Sequence, residues 1–360
     1  MDQNTLKILF TLVFFSGSLF VVSQNEQKVI FPKSYVAYKT SEVIKVDGKG
    51  DEVSWKNAEW TSRFIDIEGE KKPFYDTQVK MLWNDTYLYF YAEMEEPHVW
   101  ATLKQRDTII FHDKDFEIFI DPDGDTHNYI EFEMNALNTV WDLLIVKPYR
   151  DGGPFMNHWD IKGMKTAVHI DGTLNDPNDA DKGWSVEVAM PWKALTETTK
   201  RKTPENDYWR INFSRVNWQH NLVNGEYQRK KDDQGNLLPE YNWVWSPQEV
   251  INMHEPERWG YVYFSTEKKE ELFAIPKDEK IKWELYRLYR KQKQFRRKEG
   301  EWISTIDNLV STPLLIDGQK IEPELEVHSQ GWNINVLSPF SGNVLTVRED
   351  GRFINENSKE

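Results

Sequence analysis

Apolar and polar residues alternate in short runs over most of the chain between about residue 31 and residue 265. Residues 86–94 show this most clearly, since one face of the predicted strand carries Leu88, Phe90, Ala92 and Met94. The neighbouring residues 79–83 are spaced to form a hairpin with it. The same pattern predicts strands at residues 116–121, 129–135, 139–146, 166–170, 184–190, 209–216 and 260–264. Because no long helix separates these strands, we expect an all-β fold, an antiparallel β-sandwich.

The pattern changes after residue 265. Residues 279–298 have apolar positions at helical spacing and are followed by Gly300, which predicts one long helix. Beyond it, residues 320–327, 333–337 and 343–355 indicate short strands. We therefore assign residues 46–265 to the sandwich, residues 24–45 to an N-terminal lead-in, and residues 266–360 to a small C-terminal α+β appendage.

The first 23 residues have the layout of a cleavable secretory signal. Lys7 precedes an apolar run at residues 8–22, and the small residue Ser23 precedes a polar segment. The run is shorter than the roughly 18 apolar residues of a spanning helix, which disfavours a membrane anchor. We expect export to the periplasm or the medium, with no membrane span in the mature chain.

Charge and composition exclude several classes of function. The 45 basic and 59 acidic residues give a net charge of −14, which argues against nucleic acid as a partner. Cysteine is absent, so disulfide scaffolds, thiol catalysis and Cys-ligated metals are excluded. Aromatic residues make up 14% of the chain, enough to build a β-rich core and to leave further rings that can stack on a flat ligand.

Two acidic segments are candidates for chemistry. Asp121, Asp123 and Asp125 alternate in a turn as calcium ligands do, although a plain Pro-Asp-Gly turn explains the same residues. On the next strand, Glu131, Glu133 and Asn135 project from one face. Such a face is either an ordinary wet surface or a binding site for sugar hydroxyls.

Nearby residues favour the sugar-binding interpretation. Trp141 follows this strand, and Arg215 lies in another polar and aromatic alternation. Sugars offer C–H faces to aromatic rings and hydroxyls to planar polar groups. Among the eight histidines, none of which has zinc-motif spacing, His254 stands out in a polar loop beside carboxylates.

As a set, several segments resemble the family 9 carbohydrate-binding domains of secreted glycan-degrading systems. They are Val46-Asp47-Gly48 with Trp55, residues 79–89, residues 116–121, residues 184–192 and Arg258-Trp259-Gly260. The resemblance covers most of residues 46–265. It implies a jelly-roll-like sandwich that binds an oligosaccharide or polysaccharide, with structural calcium in some members and no required cofactor.

Carried over residue by residue, the resemblance places one ring of a sugar clamp at Phe111, a sugar-binding carboxylate at Glu117 and a strand amide at Asn135. Glu133 stands at a position that is basic in family binders. The second clamp ring falls near Met253 or His254, where no Trp stands, and Trp245 is the nearest substitute.

A rebuilt slot of this kind also has the ingredients of an enzyme. His254, Arg215 and Glu133 would supply acid-base chemistry for a dehydratase or lyase acting on uronate-containing oligosaccharides. A glycoside hydrolase, using Glu117 and Glu133 as paired carboxylates, is a further alternative.

Overall fold

The computed structural model describes residues 31–199, 202–267, 273–310 and 314–357, so the predicted signal peptide lies outside the described residues. The first part of the chain contains β1 Ser34–Lys39, α1 Val53–Asn57, β2 Ile65–Asp66, β3 Thr77–Trp83, β4 Tyr87–Glu95, β5 Asp115–Asp121, β6 Tyr129–Asn135, β7 Val140–Ile145, β8 Phe155–Met156, β9 Lys165–Asp171, β10 Gly183–Pro191, α2 Trp192–Leu195, β11 Tyr208–Asn217, β12 His220–Val223, β13 Glu226–Arg229, β14 Tyr241–Val244 and β15 Gly260–Ser265.

The C-terminal part contains α3 Lys277–Glu299, α4 Ile306–Leu309, β16 Leu314–Ile316, β17 Gln319–Ile321, β18 Glu324–His328, β19 Gly331–Leu337, β20 Asn343–Arg348 and β21 Phe353–Asn357. Single 3-10 turns occur at Ile110–His112, Tyr149–Asp151 and Pro256–Arg258. Among the described residues, no helix combines the length and the apolar character that crossing a membrane requires.

Thirteen strands form one large sheet that curls over on itself. Its order is β8-β7-β6-β5-β11-β15-β1-β3-β4-β10-β9, with β14 and β2 branching from β11. The two halves share one apolar core, in which Phe90 of β4 contacts Phe213 of β11 with ring centroids 5.7 Å apart. The predicted β-sandwich is therefore confirmed.

The sandwich is mixed rather than purely antiparallel. β1 pairs in parallel with β15 on one side and with β3 on the other, and so joins the two halves. The residues that we described as a lead-in thus include a strand of the main sheet. Its sequence, SYVAYK, is too short to show its pairing direction, because alternation reports faces and not neighbours.

The β3–β4 hairpin follows directly from its sequence. Asn84 caps the turn, since its Oδ1 accepts hydrogen bonds from the backbone N–H of Thr86 (2.9 Å) and Tyr87 (2.8 Å). The predicted apolar face of β4 lies in the main core, and its tyrosine face packs outside with Trp55. The predicted apolar face is therefore confirmed.

Buried Glu187 of β10 holds the segment before α1 against the sheet. Its carboxylate accepts hydrogen bonds from the backbone N–H of Asp47 (2.8 Å) and Gly48 (2.7 Å) and from Trp55 Nε1 (2.8 Å). Gly48 has φ +85°, and an added Cβ would lie 2.6 Å from the backbone nitrogen of His169, so only glycine fits. The Asp-Gly and Trp signature in this segment therefore has a structural role.

The predicted long helix is α3, which packs its apolar stripe on β19 and β20. Leu285, Leu288 and Tyr289 of α3 share a second core with Trp332 and Ile334 of β19. The helix ends at Gly300, which has φ +80° and the left-handed conformation typical of a helix C-terminus.

Glu279 fastens α3 to the main sheet. It accepts hydrogen bonds from Arg210 Nη1 (3.2 Å), Tyr208 Oη (3.0 Å) and Tyr261 Oη (2.7 Å). Burial raises the pKa of Glu279, but Lys282, Arg210 and the two hydroxyls outweigh it, so its pKa lies below the ordinary 4.5. The carboxylate is therefore ionised and paired in the folded chain.

We expect Glu279→Ala to lower the free energy of unfolding by about 3 kcal/mol, because it leaves the Arg210 guanidinium buried without its anion. The stabilisation from Glu279 is complete above pH 4.5 and is lost as the pH falls through its lower folded-state pKa. Urea titrations at pH 7 and pH 3 measure both effects. Glu284→Ala, in a more exposed pair with Arg287 on the same helix, should cost less than about 1 kcal/mol. Equal losses would contradict the anchoring role.

Candidate functional site

The outer face of β5 and β6 is acidic where the inner face is apolar. Glu117 of β5 lies opposite Glu133 of β6, and Phe119 lies opposite Glu131. Alternation sends Phe116, Ile118, Ile130 and Phe132 into the main core, so these glutamates must face away from it. All three glutamates are nevertheless buried, because loops cover this face.

These glutamates line a cavity of about 240 Å3, which we call the acidic pocket. Its acidic lining consists of Glu117, Glu131, Glu133 and Glu240. Its rings are Phe111, Phe119, Trp141, Tyr149 and His254, and its amides are Asn242 and Asn252. No lysine or arginine is found among the described residues that line it.

The carboxyl groups at the base of the pocket are crowded. Asp115, Glu117 and Glu133 each place a carboxylate oxygen within 4.8 Å of the others. Burial raises the pKa of Glu117 to about 7; the Ser214 hydroxyl lowers it in part, and the charge of Glu240 adds a smaller increase. Burial and the neighbouring acids also raise the pKa values of Glu131 and Glu133. Among the described residues, none of these groups forms an ion pair, so bringing them together has an electrostatic cost.

Aromatic rings form one wall and part of the rim. Trp141 of β7 lies opposite Glu133 in register and is fixed by a hydrogen bond from its Nε1 to Asn157 Oδ1 (2.7 Å). Tyr149 and Phe155 are exposed and meet edge to face with centroids 6.3 Å apart. This arrangement offers ring surface to a ligand that enters the pocket.

His254 closes another side of the pocket as a neutral imidazole. Its Nδ1 lies 2.9 Å from the hydroxyl of Tyr129, and the Tyr149 ring packs on it with centroids 4.3 Å apart. Burial, with a smaller contribution from the charge of nearby Arg150, lowers the pKa of His254 to about 3. His254 and Tyr129 therefore form a hydrogen-bonded pair of uncharged groups.

Arg150 connects this wall to the C-terminal helix. It donates to the backbone oxygen of His254 (3.4 Å), to Glu257 Oε2 (3.1 Å) and to the Tyr289 hydroxyl (3.2 Å), and it also pairs with Glu255. Arg290 of α3 binds the same two glutamates, at 3.2 Å to Glu255 and 2.5 Å to Glu257. The loop that carries His254 is therefore held by charges from two parts of the chain.

The sequence profile described as Carbohydrate family 9 binding domain-like matches residues 46–263, more than half of the 360-residue chain. The chain belongs to this family. Similar solved structures include a family 9 carbohydrate binding module from Caldicellulosiruptor kristjanssonii with cellotriose, at 16% identity over 68% of this chain and 100% of that chain, with a TM-score of 0.42. The module from this organism with glucose gives 16% identity, 67% and 100% coverage, and a TM-score of 0.43. None of the curated proteins matches the chain.

Five of the residues predicted for the site of this family 9-like domain meet in the acidic pocket. They are Phe111, Glu117, Glu133, Trp141 and His254. Phe111 and Glu117 come from the resemblance, Glu133 from strand alternation, Trp141 from its position just after the acidic strand, and His254 from the polar character of its loop. The structure therefore brings these five residues together, and their role in binding stays a prediction.

Asn135, Arg215 and Trp245 do not line the acidic pocket. Asn135 ends β6, where its Oδ1 accepts hydrogen bonds from the N–H groups of Leu137 and Thr139 and shapes the turn. Arg215 lies on the opposite face of the sheet, bonded through Nη2 to Glu96 Oε2 at 3.0 Å. Trp245 is in the main core.

Several pocket residues of the family 9-like domain were not singled out from the sequence. Glu131 was placed on the correct strand face but not in the site, and Phe119 has the same face on β5 as Glu117. Alternation along β5 was the signal that would have found Phe119. Tyr149, Asn242 and Asn252 come from loops or from the short β14, where no periodicity predicts their orientation.

The Asp121 turn fits structural calcium poorly in this family 9-like domain. Asp121 accepts hydrogen bonds from the N–H of Gly124 and Thr126, both at 2.9 Å. Asp125 binds Arg352 Nε at 2.9 Å, and the Lys282 ammonium donates to the Gly124 carbonyl oxygen. A calcium ion there would meet two positive side chains, so the residues present favour the plain turn.

We expect the His254 imidazole to stay neutral from pH 8 to pH 5, which its ring NMR shifts can measure. Because the unfolded chain takes up a proton below pH 6.5 and the folded chain does so only near pH 3, His254 lowers stability as the pH falls through that window. His254→Gln should remove up to about 1.4 kcal/mol per pH unit of that loss. Tyr129→Phe is the control that keeps the imidazole and should keep the slope. Titration of His254 near pH 6.5 would contradict its burial.

Proposed function

We propose that the chain binds a saccharide in the acidic pocket. The observation that carries this proposal is that Glu117, Glu131 and Glu133 line one cavity together with the rings of Trp141 and Tyr149. Membership of the carbohydrate family 9 binding domain-like family supports it. The related module from Caldicellulosiruptor kristjanssonii is in complex with cellotriose in one structure and with glucose in another.

The pocket suits both kinds of sugar surface. Carboxyl groups accept hydrogen bonds from hydroxyls, and in their protonated form they also donate one. Trp141 and Tyr149 offer flat apolar surface to the C–H groups of a pyranose ring. Because the acidic groups are fixed by strand pairing, binding requires little rearrangement of the glutamates.

We further propose that the saccharide is uncharged. The pocket lining among the described residues contains four glutamates and no lysine or arginine, so a uronate carboxylate would meet repulsion. Arg215 is engaged by Glu96 on the other face, and Arg258 is paired with Glu249. Neither side chain lines the pocket to neutralise a uronate.

A second candidate function is catalysis by a dehydratase or lyase. One observation favours it: the Tyr129 hydroxyl and His254 Nδ1 lie 2.9 Å apart, with His254 in the pocket wall. A neutral imidazole beside a phenol is a suitable pair for moving a proton from and to a substrate. The structure brings Glu133 to the same pocket, whereas Arg215, the third residue of the predicted catalytic set, lies elsewhere.

Calorimetric titration with neutral and uronate-containing oligosaccharides tests the binding proposal. We expect a neutral oligosaccharide to bind and Tyr149→Ala and Phe111→Ala to weaken it about tenfold each, through lost ring contact. Phe74→Ala is the matched control, because this exposed ring does not line the pocket. The absence of binding to any saccharide, or an equal loss in Phe74→Ala, would contradict the proposal.

The same incubations, followed by mass and near-ultraviolet absorbance, separate the two functions. A binding protein leaves every mass unchanged. A dehydratase removes one water and creates a conjugated uronate, and a lyase creates the same chromophore with chain cleavage. Turnover that His254→Gln abolishes would replace the binding proposal by the catalytic one.

We also propose that the chain is exported and acts in glycan degradation. Support for export comes from the apolar run at residues 8–22 followed by Ser23. We expect exported protein expressed from the full sequence to begin at Gln24, as N-terminal sequencing of the periplasmic or secreted fraction would show. Exported protein that retains Met1 would contradict the proposed cleavage.

A further inference from the structure

Asp115, Glu117 and Glu133 present an electrostatic problem that the described residues do not solve. Each side chain is at most 5% exposed, and a carboxylate oxygen from each lies within 4.8 Å of the other two. None of the three forms an ion pair with a described lysine, arginine or histidine. Three carboxylates that are this close together and excluded from water repel one another unless protons or a cation neutralise their charge.

Asp115 provides the second, independent observation. Its side chain is 0% exposed, and its Oδ1 accepts a hydrogen bond from the backbone N–H of Val216 (3.1 Å). Its Oδ2 is buried and has no hydrogen-bond partner among the described residues. A buried carboxylate oxygen without a partner indicates a missing one, which a cation, a proton or a water molecule can supply, because such oxygens are almost always satisfied.

We propose that Asp115, Glu117 and Glu133 bind a divalent cation, Ca2+, at the base of the acidic pocket. Calcium takes oxygen ligands at about 2.3–2.6 Å, so ligand oxygens on opposite sides of the ion lie about 4.6–5.2 Å apart. One carboxylate oxygen from each of the three residues lies within 4.8 Å of the other two, close enough for a single ion to contact all three. Adjacent strands in fixed register hold the side chains of Glu117 and Glu133 next to each other.

The other acidic clusters of the described residues each have positively charged side chains beside them. Asp107, Asp142 and Asp160 surround Arg106, which pairs with all three. The Asp121 cluster has Lys282 and Arg352 beside it. The cluster at the base of the pocket therefore differs from both by having no positive side chain of its own.

The cation also gives the pocket a way to hold its ligand, and this part rests on the proposed function. Glu117 and Glu133 line the cavity, so an ion bound to them would keep coordination positions open toward it. Neighbouring hydroxyls of a saccharide are oxygen ligands of the kind that calcium accepts in place of water. We therefore expect calcium to strengthen saccharide binding.

The test titrates CaCl2 alone into chelator-treated full-length protein at pH 7.5, with calorimetry and no saccharide present. We expect one site, and we expect Asp115→Asn and Glu133→Gln each to weaken it about tenfold or more, because a charged ligand is lost. The matched control is Asp123→Asn in the Asp121 cluster, which should leave calcium affinity unchanged. No calcium binding at millimolar concentration, or a site lost in Asp123→Asn and kept in Glu133→Gln, would overturn the proposal.

Thermal melts guard against misfolded variants. With chelator, Glu133→Gln should melt no lower than the unmodified protein, because it removes a charge from a repulsive cluster. Calcium should raise the melting temperature of the unmodified protein by mass action and that of Glu133→Gln much less. An equal rise in both would overturn the assigned ligands.

A saccharide titration with and without chelator separates the two proposals. Calcium binding without any saccharide binding would overturn the proposed function and support the cation site. Saccharide binding that is the same with chelator, together with no calcium binding, would overturn the cation site and support the proposed function.

Discussion

Strict alternation along β5 and β6 is the constraint on which the rest of the molecule depends. It commits one face of these strands to the core shared by the two halves of the sheet, and it thereby commits Glu117, Glu131 and Glu133 to the other. A shift of one residue in register would bury the carboxylates in the core and expose its phenylalanines. The position of the acidic groups is thus as firmly determined as the core itself.

Loops and ionic contacts then turn this sheet face into a pocket. The loop with His254 is held by Arg150 and Arg290 through Glu255 and Glu257, all in partly or fully buried positions. Breaking one member of such a buried network leaves an unpaired charge, which costs about 3–5 kcal/mol. The ionic contacts therefore anchor this loop, and an anchored wall has less conformational entropy to lose when a ligand binds.

The sequence predicted elements with strong periodicity well and the site only in part. β6 was predicted at its observed bounds, and the long helix was predicted within two residues at each end. Arg215 shows what alternation alone would have predicted. It lies an even number of residues from core residues Ile211 and Phe213 and so shares their face of β11, whereas Val216 lines the pocket. The face of Arg215 could therefore have been predicted from the sequence. The packing of Tyr149 against His254 could not, because it depends on loop conformations that no periodic pattern reports.

The contacts of α3 also determine which part of the chain is needed to keep the pocket intact. The family match ends at residue 263, yet Arg290 and Tyr289, which help to hold the His254 loop through Glu255, Glu257 and Arg150, lie beyond that limit. A fragment cut at the family boundary would carry every pocket-lining side chain and lack part of their support. The part of the chain needed to keep the pocket as it is therefore extends beyond the residues that match the family.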